Sequence, residues 1–79
     1  METALIILKS GIHLITKAEQ LDEEPSCHMQ DPYLVKEDGT LEPWPRYTPD
    51  PDVLLYSETI ATIVSPTSEL VKKYETVTK

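Results

Sequence analysis

The chain has 79 residues, a net charge of −7 and one cysteine. This length predicts one domain, residues 1–79, and a domain so small buries only about 60% of its unfolded surface, so oligomerisation is a common source of added stability. The acidic balance disfavours phosphate-rich partners. No apolar run reaches the roughly 18 residues of a membrane span and no signal peptide is evident, so we expect a cytoplasmic protein with a reduced Cys27.

The N-terminal half predicts a β-hairpin followed by a third strand. Residues 4–9 form an apolar, β-branched run that is typical of a strand buried on both faces. Ser10-Gly11 predicts the turn, and residues 12–17 alternate as in a half-buried strand. Residues 22–26 form a charged loop. The stretch CHMQDPYLV then predicts a strand in which Pro32 indicates a sheet edge or a bulge.

The C-terminal half predicts an arm, two strands and a helix. Four of the seven prolines lie in residues 36–52, which favours an extended arm or long ordered loop over a central strand. VLLYS and TIATIVS predict two strands. Ser65 is expected to cap a helix over residues 66–77 that begins at Pro66 and packs on the barrel or on a neighbouring subunit. Its apolar stripe contains Leu70, Val71, Tyr74 and Val77.

Gly11 in the hairpin turn is followed eleven residues later by Asp22, at the end of the second strand. This spacing resembles that of the first motif of the Sm-like family. The run YSETIATIV, residues 56–64, is similar to Tyr-Lys-His-Ala-Ile-Ser-Thr-Ile-Val of the bacterial Hfq branch. The resemblance covers residues 4–36 and 52–66, and the small size and acidity are also like those of phage-encoded proteins.

This resemblance implies both a fold and an assembly. The fold is a mainly β, five-stranded, strongly bent SH3-type (Sm-like) barrel, here with a short C-terminal helix. The assembly is a homo-oligomeric ring of about five to seven subunits, in which the fourth strand of one subunit pairs with the fifth strand of the next. The subunit interface would then contain Val53, Leu54, Tyr56, Ile60, Thr62 and Ile63.

The resemblance also implies a single-stranded RNA site at the pore of the ring, formed by Asp22, Met29, Gln30, Tyr56, Ser57 and Glu58. Ser57-Glu58, however, replaces a basic Lys-His or Arg-Gly pair, and a ring multiplies the negative charge of each subunit. We therefore expect a ring that acts as a binding or assembly module for an unidentified ligand. The alternative is an RNA-binding protein or RNA chaperone. DNA and membranes are not expected as partners.

Three further patterns contain residue types that are found at interfaces, metal sites or catalytic sites. Trp44, Arg46 and Tyr47 are residue types enriched at interfaces, although Trp44 can equally cap the barrel of its own subunit. Cys27 adjoins His28, but one adjacent pair lacks the ligand number and spacing of a zinc site. Serine, histidine and aspartate occur at no spacing that indicates a catalytic triad. We expect neither an enzyme nor a metal or other cofactor.

Overall fold

The computed structural model describes residues 1–78, and within them it contains six β-strands and one short α-helix. The strands are β1 (Glu2–Leu8), β2 (His13–Gln20), β3 (Cys27–Val35), β4 (Leu41–Pro43), β5 (Asp52–Leu55) and β6 (Ile60–Val64), and helix α1 (Ser68–Val77) follows them. A 3-10 turn, Ser57–Thr59, joins β5 to β6. The prediction of a mainly β domain with a short C-terminal helix is confirmed. The count of five strands is one too few, because the proline-rich segment contributes β4.

A strong bend in β3 shapes the antiparallel sheet. The described strands pair in the order β4-β3-β2-β1-β6, and β5 also pairs with β3. The first half of β3, from Cys27, pairs with β5, and its second half, from Tyr33, pairs with β4. Between the halves, Asp31 adopts a φ of 53°. The curled sheet is compatible with a small barrel and leaves β5 and β6 each paired on one side only.

The β1–β2 hairpin forms where the sequence predicts it. Gly11 has a φ of 94°, a region that glycine enters without steric cost, and its N–H donates to the carbonyl of Leu8 in the turn. Strand β1 begins two residues earlier than predicted, because Glu2 pairs opposite Ala18 of β2.

More of the second strand is buried than its predicted alternation implies. Leu14, Ile15 and Thr16 are consecutive, and all three side chains are fully buried. Strict alternation fails here because the β2–β3 pairing shifts register between Ile15 and Lys17. This bulge redirects the strand, so side chains on both of its faces are covered.

One hydrophobic cluster fills the space inside the bend. Its buried members come from four strands and are Ile6, Leu8, Leu14, Cys27, Met29 and Leu55. Half-buried apolar side chains pack against this core, and they are Ile12, Ala18, Leu34, Trp44, Val53, Ile60 and Ile63. Strands β5 and β6 are therefore held to their own subunit by apolar contacts, with β5 also paired to β3 and β6 to β1.

Helix α1 lies against the bulge between β2 and β3. The Tyr74 side chain is buried, and its hydroxyl lies 3.1 Å and 2.9 Å from the carbonyls of Gln30 and Asp31. The N–H of Lys17 donates to the same hydroxyl over 3.2 Å. Burial raises the pKa of Tyr74. Of the two expected positions for the helix, the structure shows the one on the chain's own sheet, where this hydroxyl bonds to backbone groups at the bulge.

The predicted start of the helix is wrong by two residues. Thr67, not Ser65, is the N-cap, and its side-chain oxygen accepts a hydrogen bond from the N–H of Leu70 over 3.3 Å. Because Thr67 is the N-cap, Pro66 lies outside the helix instead of opening it. Serine and threonine cap helices by the same mechanism, so local sequence does not show whether Ser65 or Thr67 caps this one.

Candidate functional site

Two segments meet at one end of the sheet, the β2–β3 loop (residues 21–26) and the β5–β6 turn (residues 56–59). The loop is closed by a backbone hydrogen bond from Leu21 to Ser26 over 2.7 Å. Ser26 also donates to the carbonyl of Leu55, which joins the loop to the end of β5. We call these two segments together the acidic loop pair, and they contain Asp22 of the first motif and residues 56–59 of the second motif of the Sm-like resemblance.

A carboxylate connects the two segments directly. The N–H of Ser57 donates to Oε2 of Glu24 over 2.9 Å. Hydrogen bonds from Ser57, mainly from its hydroxyl and secondly from its backbone N–H, lower the pKa of the Glu24 carboxyl. This exposed carboxyl is therefore ionised at neutral pH. Glu24, which is not among the predicted site residues, makes this contact. No local pattern in the sequence singles out Glu24 among three consecutive acidic residues.

The acidic loop pair presents one sign of charge. Asp22, Glu23, Glu24 and Glu58 all have exposed side chains, and residues 21–26 and 56–59 contain no Lys, Arg or His. A fixed negative charge at this end repels phosphate groups, whose neutralisation by basic side chains is the general source of affinity for nucleic acids. The electrostatics of the site favour a neutral or cationic ligand.

Beside the acidic loop pair, two adjoining clefts open into the barrel. They have volumes of about 340 Å³ and about 360 Å³, and Gln20, Cys27 and Ile63 line both of them. The lining of the second cleft includes two small side chains, Ala4 and Ala18. Burial raises the pKa of the Cys27 thiol, which therefore stays protonated at neutral pH and is a weak nucleophile and metal ligand.

The six RNA-contact residues implied by the resemblance do not all lie at this site. Asp22, Tyr56, Ser57 and Glu58 are exposed on the acidic loop pair. Met29 is fully buried in the core, where no ligand reaches it without unfolding the barrel. Gln30 lies at the bulge, where its carbonyl accepts a hydrogen bond from the hydroxyl of Thr16 and lies 3.1 Å from the hydroxyl of Tyr74. Met29 and Gln30 thus lie within strand β3 and not on the acidic loop pair.

The six predicted interface residues divide into two groups. Leu54, Tyr56 and Thr62 are exposed, the first two by 52% and 53%. The other three are half-buried and pack on the core of their own subunit, and they are Val53, Ile60 and Ile63. Val64, which was not predicted, is 42% exposed at the end of β6. The exposed large apolar side chains of this region are thus Leu54 on β5, Val64 on β6, and Tyr56 at the start of the turn between them.

The three arm residues have three different environments. Trp44 is half-buried and packs on its own core. Arg46 pairs with Glu42 over 2.8 Å, and Glu42 also pairs with Lys36 over 3.0 Å. Tyr47 is 100% exposed at the tip of the loop, with a φ of 67°. Trp44 therefore anchors the arm to the barrel, and Tyr47 is the arm residue whose whole side chain is available to another molecule.

The adjacent Cys27 and His28 point to opposite faces of β3. The first is in the core, whereas Nε2 of His28 lies 2.8 Å from Oδ1 of Asp52 near the surface. Alternation along a strand separates neighbouring side chains in this way, so the pair cannot bind one metal ion together. Within residues 1–78, no group of three or more Cys, His, Asp and Glu side chains is arranged to hold a metal. None of the described helices is long and apolar enough to cross a membrane.

Comparison with known proteins gives a family but no activity. No curated protein matches the sequence. One family model does match, and it spans the whole chain, residues 1–79. The protein therefore belongs to the family of unknown function DUF6561.

Proposed function

We propose that the protein assembles into a homo-oligomeric ring that acts as a binding or assembly module, as its resemblance to the Sm-like family implies. The observation that carries this proposal is that β5 and β6 are both edge strands of one sheet within residues 1–78. An unpaired edge offers a row of N–H and C=O groups to another strand. One chain carrying two such edges can make a head-to-tail contact, which closes into a ring when the rotation is suitable.

The order of the strands supports the same arrangement. When β4 is treated as an insertion, the sheet runs β6-β1-β2-β3-β5. Strands β5 and β6 then occupy the places of the fourth and fifth strands, the two that the resemblance pairs between neighbouring subunits. Leu54 on β5 and Val64 on β6 would lose exposed apolar surface in that pairing, at about 25 cal/mol for each Å² removed from water.

Native mass spectrometry with light scattering at micromolar concentration tests the assembly. We expect the wild type to have a single mass of about five to seven times that of the 9.0 kDa chain. Leu54→Asp should dissociate the ring, because a carboxylate would be buried without a partner in the interface. Val77→Asp is the matched control, because Val77 is 44% exposed on α1, away from both edges.

The outcomes separate assembly from folding. Because Leu54 is exposed in the single chain, its change to Asp should alter the stability of the monomer by no more than about 0.5 kcal/mol. A folded Leu54→Asp monomer beside an assembled Val77→Asp variant is therefore the expected result. A wild type that stays monomeric at micromolar concentration would refute the ring.

RNA binding at the acidic loop pair is the weaker alternative. The exposed ring of Tyr56 could stack on a base, which is worth about 1–3 kcal/mol per base in single-strand binders. Against this, four exposed carboxylates lie on the same two segments, and no basic side chain lies on them. We therefore favour a module whose ligand is not a polyanion.

A further inference from the structure

The proline-rich loop encloses a small cavity against the bend of β3. Two backbone hydrogen bonds fix the loop there: the N–H of Trp44 donates to the carbonyl of Pro32 over 3.1 Å, and the N–H of Asp31 donates to the carbonyl of Pro51 over 2.7 Å. The cavity between these contacts has a volume of about 170 Å³. It is separate from the clefts beside the acidic loop pair, with which it shares no lining residue.

The walls of this cavity combine aromatic rings, prolines and two carboxylates. Tyr33 and Trp44 are its aromatic lining residues, and Asp31 and Asp50 are its acidic ones. The ring of Tyr33 also packs edge-on against Tyr74 of α1. Five of the ten lining residues are proline, and none is Lys, Arg or His. Prolines have few conformations to lose, so a wall built from them holds its shape before a ligand arrives.

The loop's own cation does not neutralise these carboxylates. The guanidinium of Arg46 bonds to Glu42, outside the cavity, and Glu42 also binds Lys36. Neither Asp31 nor Asp50 forms an ion pair within the described residues. The lining of the cavity therefore includes two acidic and two aromatic residues and no basic residue.

We propose that this cavity binds one organic cation, an alkylammonium or guanidinium group. Tryptophan and tyrosine rings attract such groups through the negative face of the ring, and carboxylates add direct ionic attraction. An anion would be repelled, and a neutral apolar group would cover the two carboxylates without compensating them. The volume lies below the roughly 300 Å³ at which pockets for drug-sized ligands begin, which suits a single head group. This site does not depend on ring assembly.

Fluorescence of the single tryptophan tests the proposal directly, since Trp44 lines the cavity. The protein is titrated at constant ionic strength with choline and with its neutral isostere 3,3-dimethylbutan-1-ol. We expect choline to produce a saturable change in Trp44 emission and the alcohol to bind at least about fivefold more weakly, as an ionic contact of about 1 kcal/mol requires. Equal responses to both, or no saturable response to choline, would overturn the proposal.

Charge-neutral variants locate the binding. Asp31→Asn and Asp50→Asn should each weaken choline binding about fivefold, and asparagine tolerates the positive φ of Asp31 as well as aspartate does. Glu75→Gln is the control, because it removes one negative charge from the exposed surface of α1, outside the cavity. Equal weakening in all three variants would assign the effect to net charge and refute the site. A thermal melt of each variant confirms that it is folded.

A second pair of probes identifies the source of the cation. Free arginine ethyl ester is compared with a blocked tripeptide, Gly-Arg-Gly. Binding of both would show that the head group is sufficient and that a small molecule can be the ligand. Binding of the peptide alone would assign the site to a basic side chain of a partner protein. If neither binds and choline also fails, the cavity is not a cation site.

Discussion

The bulge between β2 and β3 and the outer edges of β5 and β6 are two places where the sheet leaves backbone groups unpaired. At the bulge, the chain supplies its own partner, because the buried hydroxyl of Tyr74 contacts an N–H and two carbonyls from a position more than forty residues away. At the two edges, no strand among residues 1–78 pairs with the outer side. Within residues 1–78, backbone groups at the bulge thus have a partner, whereas those on the outer sides of β5 and β6 have no partner strand.

The difference follows from access to water. An unpaired group under a helix has no solvent to bind, so leaving it unsatisfied costs about 1–3 kcal/mol. A group at an open edge binds water at no such cost until another strand replaces the water. The bulge contact therefore contributes mainly to the stability of one chain, and the edges are the surfaces through which chains would associate in the proposed ring.

The largest expected effect concerns the bulge. Tyr74→Ala should lower the free energy of unfolding by about 3–5 kcal/mol, because it removes a buried aromatic ring and leaves a cavity under α1. Chemical denaturation measures the change. Val77→Ala, on the exposed side of the same helix, should change the stability by no more than about 0.5 kcal/mol.

Tyr74→Phe separates the hydroxyl from the ring and remains informative if the alanine variant does not fold. It keeps the packing but leaves the N–H of Lys17 without its partner, so we expect a loss of about 1–3 kcal/mol. A phenylalanine variant as stable as the wild type would mean that water satisfies the bulge. The contrast between the bulge and the edges would then disappear.

A second test concerns the charge of the acidic loop pair, whose β5–β6 turn joins the two edge strands. Ser57→Lys with Glu58→His restores the basic pair of the Sm-like motif and adds about +2 to each subunit with histidine neutral. We expect the wild type to bind labelled oligo-U or oligo-A negligibly at physiological salt. The double variant should bind at least about tenfold better, and its binding should weaken as salt increases. Fluorescence polarisation at several salt concentrations measures both quantities.

Helix α1 offers a matched control for this charge change. Ser68 and Glu69 form the same dipeptide on an exposed surface, so Ser68→Lys with Glu69→His adds the same charge at a different place. An equal gain of RNA affinity there would show that net charge, and not the position of the acidic loop pair, controls binding. Tight, salt-sensitive binding by the wild type would instead refute the view that this end of the barrel repels polyanions.

The sequence predicts the local features of this molecule and misses those that depend on distant contacts. The turn at Gly11, the strands on either side of it and the helix near the C-terminus follow from turn chemistry and from the period of apolar residues. Proline content predicted that the arm is not a central strand, and β4 is indeed a three-residue strand at the end of the sheet order.

The missed features have long-range partners. Tyr74 is part of an ordinary apolar stripe in the sequence, and nothing nearby shows that its hydroxyl bonds to residues of β2 and β3. The Sm-like resemblance implies that Met29 belongs to a binding site, but the period of two along β3 places it in the core with Cys27. The cavity of the proline-rich loop likewise requires Tyr33 and Asp50, which are seventeen residues apart, to meet across the bend.

The smallest expected effect concerns the contact that joins the two parts of the acidic loop pair. Hydrogen bonds from Ser57 lower the pKa of Glu24 in the folded protein, so ionised Glu24 stabilises the fold at pH values above the usual glutamate pKa. That stabilisation is lost as the pH falls through the lowered pKa, because the protonated carboxyl no longer accepts these bonds as an anion. Glu24→Gln mimics the protonated state. The difference in stability between wild type and Glu24→Gln should therefore shrink as the pH falls from about 5 to about 3.

Denaturation curves at several pH values measure this difference, and Glu23→Gln is the control. It removes the same charge from the same loop without touching the bond to Ser57. If the difference in stability from the wild type shrinks equally for both variants at low pH, its cause is the general charge of the loop. If the difference shrinks only for Glu24→Gln, the bond between Glu24 and Ser57 holds the β2–β3 loop to the β5–β6 turn. The open edge strands would then be positioned, before any second copy arrives, by a carboxylate that also keeps phosphate away.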